Sequence, residues 1–368
     1  MLQEFFTEHD AQFFIMYASS KNPNLYYATK FRVPDPVFYM IGDDGTELLV
    51  VPEMERRRAE RESRVREIAS LNDLGFHERL KELGDAKKAL AETYADLIMT
   101  HHGKRVLVPD DFPAFLYQTF AEKFDVHIVE NPYSIMRAVK TPEEIRNIKE
   151  TSDATIQAFR FFLEILRKER NSERLRNRVE SFLYSRGFMA EDTIISGDSE
   201  SSDPHCTGHG DIEFHVIFDV FPRDRKTGYH SDFTRTVMIQ ENHEIEEMLD
   251  ACVEAKNRAI EMIKDGVSGE EVHFLVCDVL ESHGYTTLRQ KAKEGFIHST
   301  GHGVGLEVHE RPRIYERGEE LKTGMVITLE PGLYYEGVGG VRVEDTVVVR
   351  KSGCEVLTQF EDIVRLVK

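Results

Sequence analysis

Between residues 142 and 350 the chain runs twice through the same order of patterns. Two stretches with apolar residues at helical spacing (about 142–168 and 172–186) precede two apolar segments, EFHVIFDVF and SDFTRTVMI. Two more helical stretches (about 244–264 and 269–284) precede a second apolar pair, GMVITLEPG and GGVRVEDTVVV. The spacing of apolar residues separates helix from strand in each case. Helix–helix–hairpin repeated in this way predicts two related halves. Two curved antiparallel sheets would meet, and residues on facing strands would converge on a central cleft. The first helix has a sharp start: Thr141 can cap, Pro142 suits the first helical position, and Glu144 stands three after Thr141 as a capping box requires. Apolar residues then recur at Ile145, Ile148, Ala154, Phe159, Phe162 and Leu166.

The preceding third reads as a separate, smaller α/β unit. FFIMYAS and PVFYMIG are strand-like, and the second leads through Asp43-Asp44-Gly45 into ELLVV, an acidic-Gly turn between apolar runs. MERRRAERESRVRE carries charges of both signs and reads as a solvated helix face. KRVLVP and VHIVE are further strands around a helical AFLYQTFAEKF. The expected division is 1–132 and 133–368, two domains of an α+β chain, which suits the usual ~100–200 residues per domain.

Composition narrows the class. A net charge of −19 repels phosphate backbones and anionic lipid, so neither nucleic acid nor a membrane surface is an expected partner. No run approaches the roughly 18 apolar residues of a membrane span. The first residues carry acids where a signal peptide needs a basic flank, so the expected location is the cytoplasm. Cys206, Cys252, Cys277 and Cys354 are widely spaced, which suits free thiols in a reducing compartment and excludes a Cys-rich zinc site.

Four carboxylates, Asp219, Asp232, Glu330 and Glu344, interrupt the apolar strand segments. Burying an ionised carboxylate is expensive unless a positive charge lies beside it. Any one of them could face solvent from a half-buried strand; four together suggest a shared cation site. Beside them stands HSTGHGVGLEVHERPR (298–313), where His298, His302 and His309 are interleaved with Gly301, Gly303 and Gly305. Glycines permit sharp turns and close approach of backbone to a ligand. Four carboxylates balance two divalent cations. Oxygen ligands with an imidazole suit Mn²⁺, with Co²⁺ or Fe²⁺ as substitutes. Two such ions roughly 3.5–4 Å apart activate water and polarise a carbonyl, which is the chemistry of hydrolysis.

With these motifs in view, the chain resembles the pita-bread metallopeptidases, the family of methionine aminopeptidase, aminopeptidase P and prolidase. The matching stretches are DPH (203–205), YHSDFTRT (229–236), HSTGHGVGLEVHERP (298–312), LEPGLY (329–334) and GGVRVED (339–345). Residues 133–368 carry the resemblance through these motifs, and the first 130 or so resemble a creatinase-type N-terminal domain by pattern. The resemblance implies that Asp219, Asp232, His302, Glu330 and Glu344 hold two divalent ions, with Asp232 and Glu344 bridging. It implies that His205 contacts the scissile carbonyl or shuttles a proton, and that His309 stabilises the tetrahedral intermediate. Glu330 would double as the acid/base. His298 and Arg313 match substrate-pocket positions, and Arg342 is a candidate to orient Glu344.

Two departures from the family pattern stand out. Phe221 occupies a place where the family usually has glycine, and VFPRDRKTGYHS makes the Asp219-to-Asp232 connection long, which predicts a lengthened loop. The separate N-terminal domain points to the proline-directed branch, acting on short Xaa-Pro peptides, and to a homodimer. Arg313 could grip a dipeptide's carboxylate in a two-pronged contact, yet dipeptidase and aminopeptidase P both stay open. A non-catalytic binding protein on the same fold is the alternative of another class; such members tend to lose metal ligands, and all five are present here. An aminopeptidase of other specificity is a further alternative.

Overall fold

The computed structural model describes residues 2–366. The chain separates into two compact units, 1–137 and 138–368. The division falls five residues beyond the expected one, because the helix Pro132–Ala138 places Tyr133 in the core of the first unit.

The first unit is built on a six-stranded mixed sheet: β1 (Phe13–Ala18), β2 (Val37–Gly42), β3 (Glu47–Val51), β4 (Glu67–Ser70), β5 (Arg105–Pro109) and β6 (Asp125–Val129), in the order β4-β3-β2-β1-β5-β6. Side chains alternate across a strand, so Phe14 and Met16 enter one core while Phe13 and Ile15 enter the other. Burial on both faces explains why the central strands β1, β2, β3 and β5 read as apolar runs, whereas β4 and β6 at the edges are partly exposed. The β2–β3 hairpin turns at Asp43-Asp44-Gly45, where Gly45 has φ +90° and Asp44 accepts from the Thr46 N–H at 2.9 Å. The mixed-charge stretch forms only a short helix, Arg56–Glu62, before β4. Arg56 pairs there with Glu60 and Asp73, which draws the stretch back on itself.

In the second unit the capping box forms: Glu144 accepts from the Thr141 N–H at 2.8 Å and Thr141 caps Glu144 in return. Helices Pro142–Leu166 and Ser172–Tyr184 share a core with β8 (Ile194–Gly197), β9 (His215–Val220) and β11 (Phe233–Met238), through Phe159, Phe162, Leu175, Val216 and Phe218. A short ribbon, β7 (Phe188–Met189) with β10 (Arg223–Asp224), lies beside them, and β19 (Val364–Arg365) completes a sheet ordered β19-β11-β9-β8.

Helices His243–Met262 and Gly269–Ser282 pack likewise on a second sheet, with Leu249, Cys252, Val276, Leu280, Ile327 and Val347 in one core. That sheet comprises β12 (Gly301–Gly303), β13 (Glu310–Ile314), β14 (Val326–Leu329), β17 (Asp345–Arg350) and β18 (Gly353–Val356), ordered β13-β12-β14-β17-β18. Two helices on a mainly antiparallel sheet thus occur twice; in the first, only the edge strand β19 runs parallel to its neighbour β11.

The second apolar pair differs from its expected hairpin. GMVITLEPG and GGVRVEDTVVV do pair, as β14 with β17, but a separate hairpin, β15 (Gly332–Tyr335) with β16 (Gly339–Arg342), is inserted between them. Pro331, which has no N–H to donate, helps end the first ladder. Threonines stitch the halves together. The Glu344 N–H donates to Thr234 O at 3.0 Å, Thr236 Oγ1 to Arg342 O at 3.0 Å, and Thr346 Oγ1 to Asp232 O at 2.8 Å. Among the described residues no helix is long and apolar enough to cross a membrane.

Candidate metal centre

Only one of the four carboxylates lies within a strand. Asp219 is in β9, opposite Thr234 of β11. Asp232 precedes β11, and Glu330 and Glu344 occupy the points where the chain leaves β14 for the inserted hairpin and returns to β17. At these joints the side chain is free of the strict in–out alternation of a strand, so all four can turn to the same side.

Packing fixes Asp232 through the residues before it. The capping glutamate Glu144 accepts from the Tyr229 hydroxyl at 2.6 Å, Thr151 donates to Tyr229 O at 3.2 Å, and the Ser152 and Ser231 hydroxyls meet at 3.0 Å. A polar stripe on the first helix therefore holds the segment leading into the site. The long Asp219–Asp232 connection is an ordered excursion. It pairs β10 with β7 and closes on Asp224, which accepts from the N–H groups of Lys226 and Thr227, while Phe221 lines the cavity.

His302 comes from β12 at a β-bulge, a feature that re-aims a side chain. Gly301 and Gly303 serve packing rather than ligand approach: a Cβ would stand 2.0 Å from Thr328 O or from Arg311 O, both on neighbouring strands. His302 Nδ1 donates to Gly303 O at 3.2 Å, and its Nε2 stands 3.2 Å from Glu330 Oε1 and 3.7 Å from Asp232 Oδ2. Thr234 donates to Glu344 at 2.7 Å. Arg342 does not hold Glu344, the partner expected for it. It donates to Asp219 Oδ2 of β9 at 2.5 Å and to the Tyr334 hydroxyl at 2.6 Å from its place as the last residue of β16. Tyr334 in turn meets His298 Nε2 at 3.1 Å, and His298 Nδ1 donates to Ser299 O at 2.7 Å. Both nitrogens of His298 are thus engaged within the protein. Tyr334 and Thr234 have no role assigned from the sequence, although both lie in the matching stretches LEPGLY and YHSDFTRT, which were the available signal.

All ten residues singled out in the sequence line one cavity of about 860 Å³, wholly within the second unit. His309 packs edge-on to His302 with ring centroids 4.2 Å apart. Arg313 is the cross-strand partner of His302, which puts both side chains on one face. His205, exposed, reaches the cavity from the turn after Asp203.

The electrostatics favour cations. Burial and then repulsion from Glu344, Asp219 and Glu330 push Asp232 well above the usual carboxylate range. Burial, Glu330 and Asp219 do the same to Glu344. Burial raises Asp219 against the pull of Arg342. For Glu330 burial is outweighed by the His302 hydrogen bond and by nearby positive charge, which hold it at about 2. Among the described residues Asp219 Oδ1 and Glu344 Oε1 are buried without a hydrogen-bond partner, and ligand atoms of Asp232, His302 and Glu344 lie within 4.8 Å of one another. Unpaired oxygens and mutual repulsion among buried carboxylates are what divalent cations would relieve, and the imidazole beside them is a common metal ligand, so the donor set fits them.

Residues 146–351 match metallopeptidase family M24, and residues 1–139 match the creatinase/prolidase N-terminal domain. The chain belongs to metallopeptidase family M24, whose members use divalent metal ions. It is 30% identical over 356 residues to an Xaa-Pro dipeptidase of Pyrococcus horikoshii, spanning 93% of this chain and 92% of that protein. A solved prolidase structure from the same organism matches with a TM-score of 0.83 at 26% identity, over 98% of this chain and 97% of that one. An Xaa-Pro dipeptidase from Bacillus anthracis matches with a TM-score of 0.85 at 25% identity, over 99% and 98%.

Proposed function

We propose that this protein is an Xaa-Pro dipeptidase that hydrolyses the bond between an N-terminal residue and proline. The observation that carries this reading is the convergence of His302 Nε2 on buried carboxylates, with Arg313 on the same face of the adjoining strand. The similarity to Xaa-Pro dipeptidases over nearly the whole chain supports it.

Asp219, Asp232, His302, Glu330 and Glu344 would hold two divalent ions, Mn²⁺ by the hardness of the donors, with Co²⁺ or Fe²⁺ as substitutes. When bound, the ions supply Lewis-acid polarisation and water activation. Glu330, kept ionised by His302, takes the proton of the attacking water and returns it to the proline nitrogen as the C–N bond breaks. His309 and His205 donate to the oxygen on which negative charge develops, an interaction that counts most in the transition state. Arg313 receives the substrate carboxylate, which favours dipeptides over longer peptides. His298, bonded to Tyr334, shapes the pocket wall rather than donating to substrate.

The creatinase-type first unit supports a homodimer, to be checked by light scattering. The four free thiols support a cytoplasmic location. The decisive experiment is kcat/KM on an Xaa-Pro dipeptide, an Xaa-Pro tripeptide and an Xaa-Ala dipeptide, with metal content measured in parallel. The first should be the preferred substrate; equal cleavage of Xaa-Ala would overturn the proline-directed reading.

A further inference from the structure

A second group of metal-binding side chains lies outside the catalytic set. Glu200, Cys206 and His209 offer a carboxylate, a thiol and an imidazole whose ligand atoms all lie within 4.8 Å of one another. The cysteine spacing that excludes a Cys-rich zinc site says nothing about a site with one cysteine.

The backbones carrying these donors are anchored by contacts outside the group. Glu200 belongs to the 3₁₀ turn Asp198–Ser202. There the Asp198 carboxylate accepts from the N–H groups of Glu213 (2.7 Å) and Phe214 (2.8 Å), and Ser201 Oγ accepts from Gly340 at 2.7 Å. Cys206 and His209 flank Gly208, whose φ is +86° and whose added Cβ would stand 1.9 Å from Ile195 O. Thr207 O accepts from the Ile195 N–H at 3.1 Å, and the Gly210 N–H donates to Glu173 at 3.1 Å. The His209 N–H donates to Glu200 Oε2 at 2.8 Å, which fixes the carboxylate beside the imidazole, Nδ1 to Oε1 3.5 Å. Three different donors therefore stand together on a framework held by hydrogen bonds to residues outside the group, which suits a pre-organised site.

We propose that Glu200, Cys206 and His209 bind a thiophilic divalent cation, Zn²⁺ by the donor chemistry, separately from the carboxylate-rich centre. One carboxylate and one thiolate neutralise a divalent charge. A thiolate with an imidazole selects Zn²⁺ over the hard cations suited to the other site. Three protein ligands leave a fourth tetrahedral position for water. His209 is 64% exposed and Glu200 39% exposed at the side chain, so an ion can enter from solvent. Cys206 follows His205, and Pro204 O accepts from Arg342 at 3.3 Å. A cation here ties the turn that lines the catalytic cavity to the 3₁₀ turn. The site itself does not depend on the peptidase reading.

The test is a titration of the reduced full-length protein with Cd²⁺, whose bond to a thiolate gives an ultraviolet charge-transfer band that oxygen and nitrogen ligands do not. The band should saturate at one equivalent, be displaced by Zn²⁺, vanish in Cys206→Ser, and shift to higher cadmium concentration in His209→Ala. Circular dichroism checks that both variants fold. In parallel, alkylation of Cys206 by iodoacetamide, followed by peptide mass spectrometry, should slow when Zn²⁺ is added. Absence of the band in the wild type, its persistence in Cys206→Ser, or an alkylation rate indifferent to Zn²⁺ overturns the proposal.

Discussion

Glu344 and Asp345 are consecutive and equally buried, 2% and 3% exposed, yet their surroundings are opposite. Asp345 sits among cations: the buried Arg235 donates to it at 2.9 Å, Lys256 pairs with it, Thr358 donates at 3.2 Å, and Asp362 balances the excess positive charge. Among the described residues Glu344 has one hydrogen-bond donor, Thr234, an oxygen with no hydrogen-bond partner, and Glu330, Asp219 and Asp232 as acidic neighbours. One carboxylate belongs to a charge cluster complete within the fold; the other needs something the chain does not provide. Burial alone therefore does not mark a functional acid. The mark is burial without compensation. The two are also joined, since Arg235 donates to the backbone carbonyl of Glu344, so the complete cluster holds the incomplete one in place.

The largest expected effect falls on the incomplete side. Glu330→Gln should lower kcat/KM by roughly 10²–10⁴ through loss of the proton acceptor, with further loss from weaker metal binding, while urea unfolding stays cooperative. Wild-type turnover at full metal occupancy would remove Glu330 from the mechanism. On the complete side, Asp345→Asn leaves Arg235 and Lys256 short of an anion and should cost about 3–5 kcal/mol of stability, read as a lower urea midpoint. A drop no larger than that of an average surface substitution would show that the cluster is not needed for the fold.

The same contrast explains what could be read from the chain. The four carboxylates stood out because an acid in an apolar run demands a reason, and the helices stood out through period and caps. Asp345 is as unusual in its run as Glu344, but its partners are Arg235, Lys256 and Asp362, far away in sequence, so compensation was invisible. For the same reason Arg342 was matched with Glu344, its near neighbour in sequence, when the fold gives it Asp219 across the sheets. The inserted hairpin hid because β16 and β17 run on through one continuous apolar stretch, and only the switch of pairing partner separates them. The capping box Thr141–Glu144 was legible as a Thr followed three residues later by Glu, before an apolar run.

A smaller effect tests the link between the halves. Thr234→Val preserves shape and removes the only hydrogen bond recorded for the Glu344 carboxylate among the described residues. Losing a partner that orients a ligand typically weakens metal binding by about 10–100-fold. Isothermal titration with Mn²⁺ should show a loss of that order, with little change in the stability of the metal-free protein. An unchanged affinity would mean that backbone placement alone positions Glu344.

The smallest expected change in stability is also the sharpest test of the comparison. In chelator-treated protein, Glu344→Gln should be as stable as the wild type or more stable by about 1 kcal/mol. A neutral amide carries no desolvated charge and no repulsion from Glu330 and Asp219, and its N–H groups can donate to neighbouring carboxylates. The same variant should lose the stabilisation that added metal gives the wild type, because a ligand that binds only the folded state raises stability in proportion to the logarithm of its concentration over Kd. Urea midpoints with and without Mn²⁺ read both effects. Gln at 344 should raise or hold the first midpoint and erase the difference between the two, whereas Asn at 345 should lower both and keep their difference. If Glu344→Gln instead destabilised the metal-free protein as much as Asp345→Asn, Glu344 would belong to the charge framework of the fold, and the assignment of this joint as a metal ligand would fail.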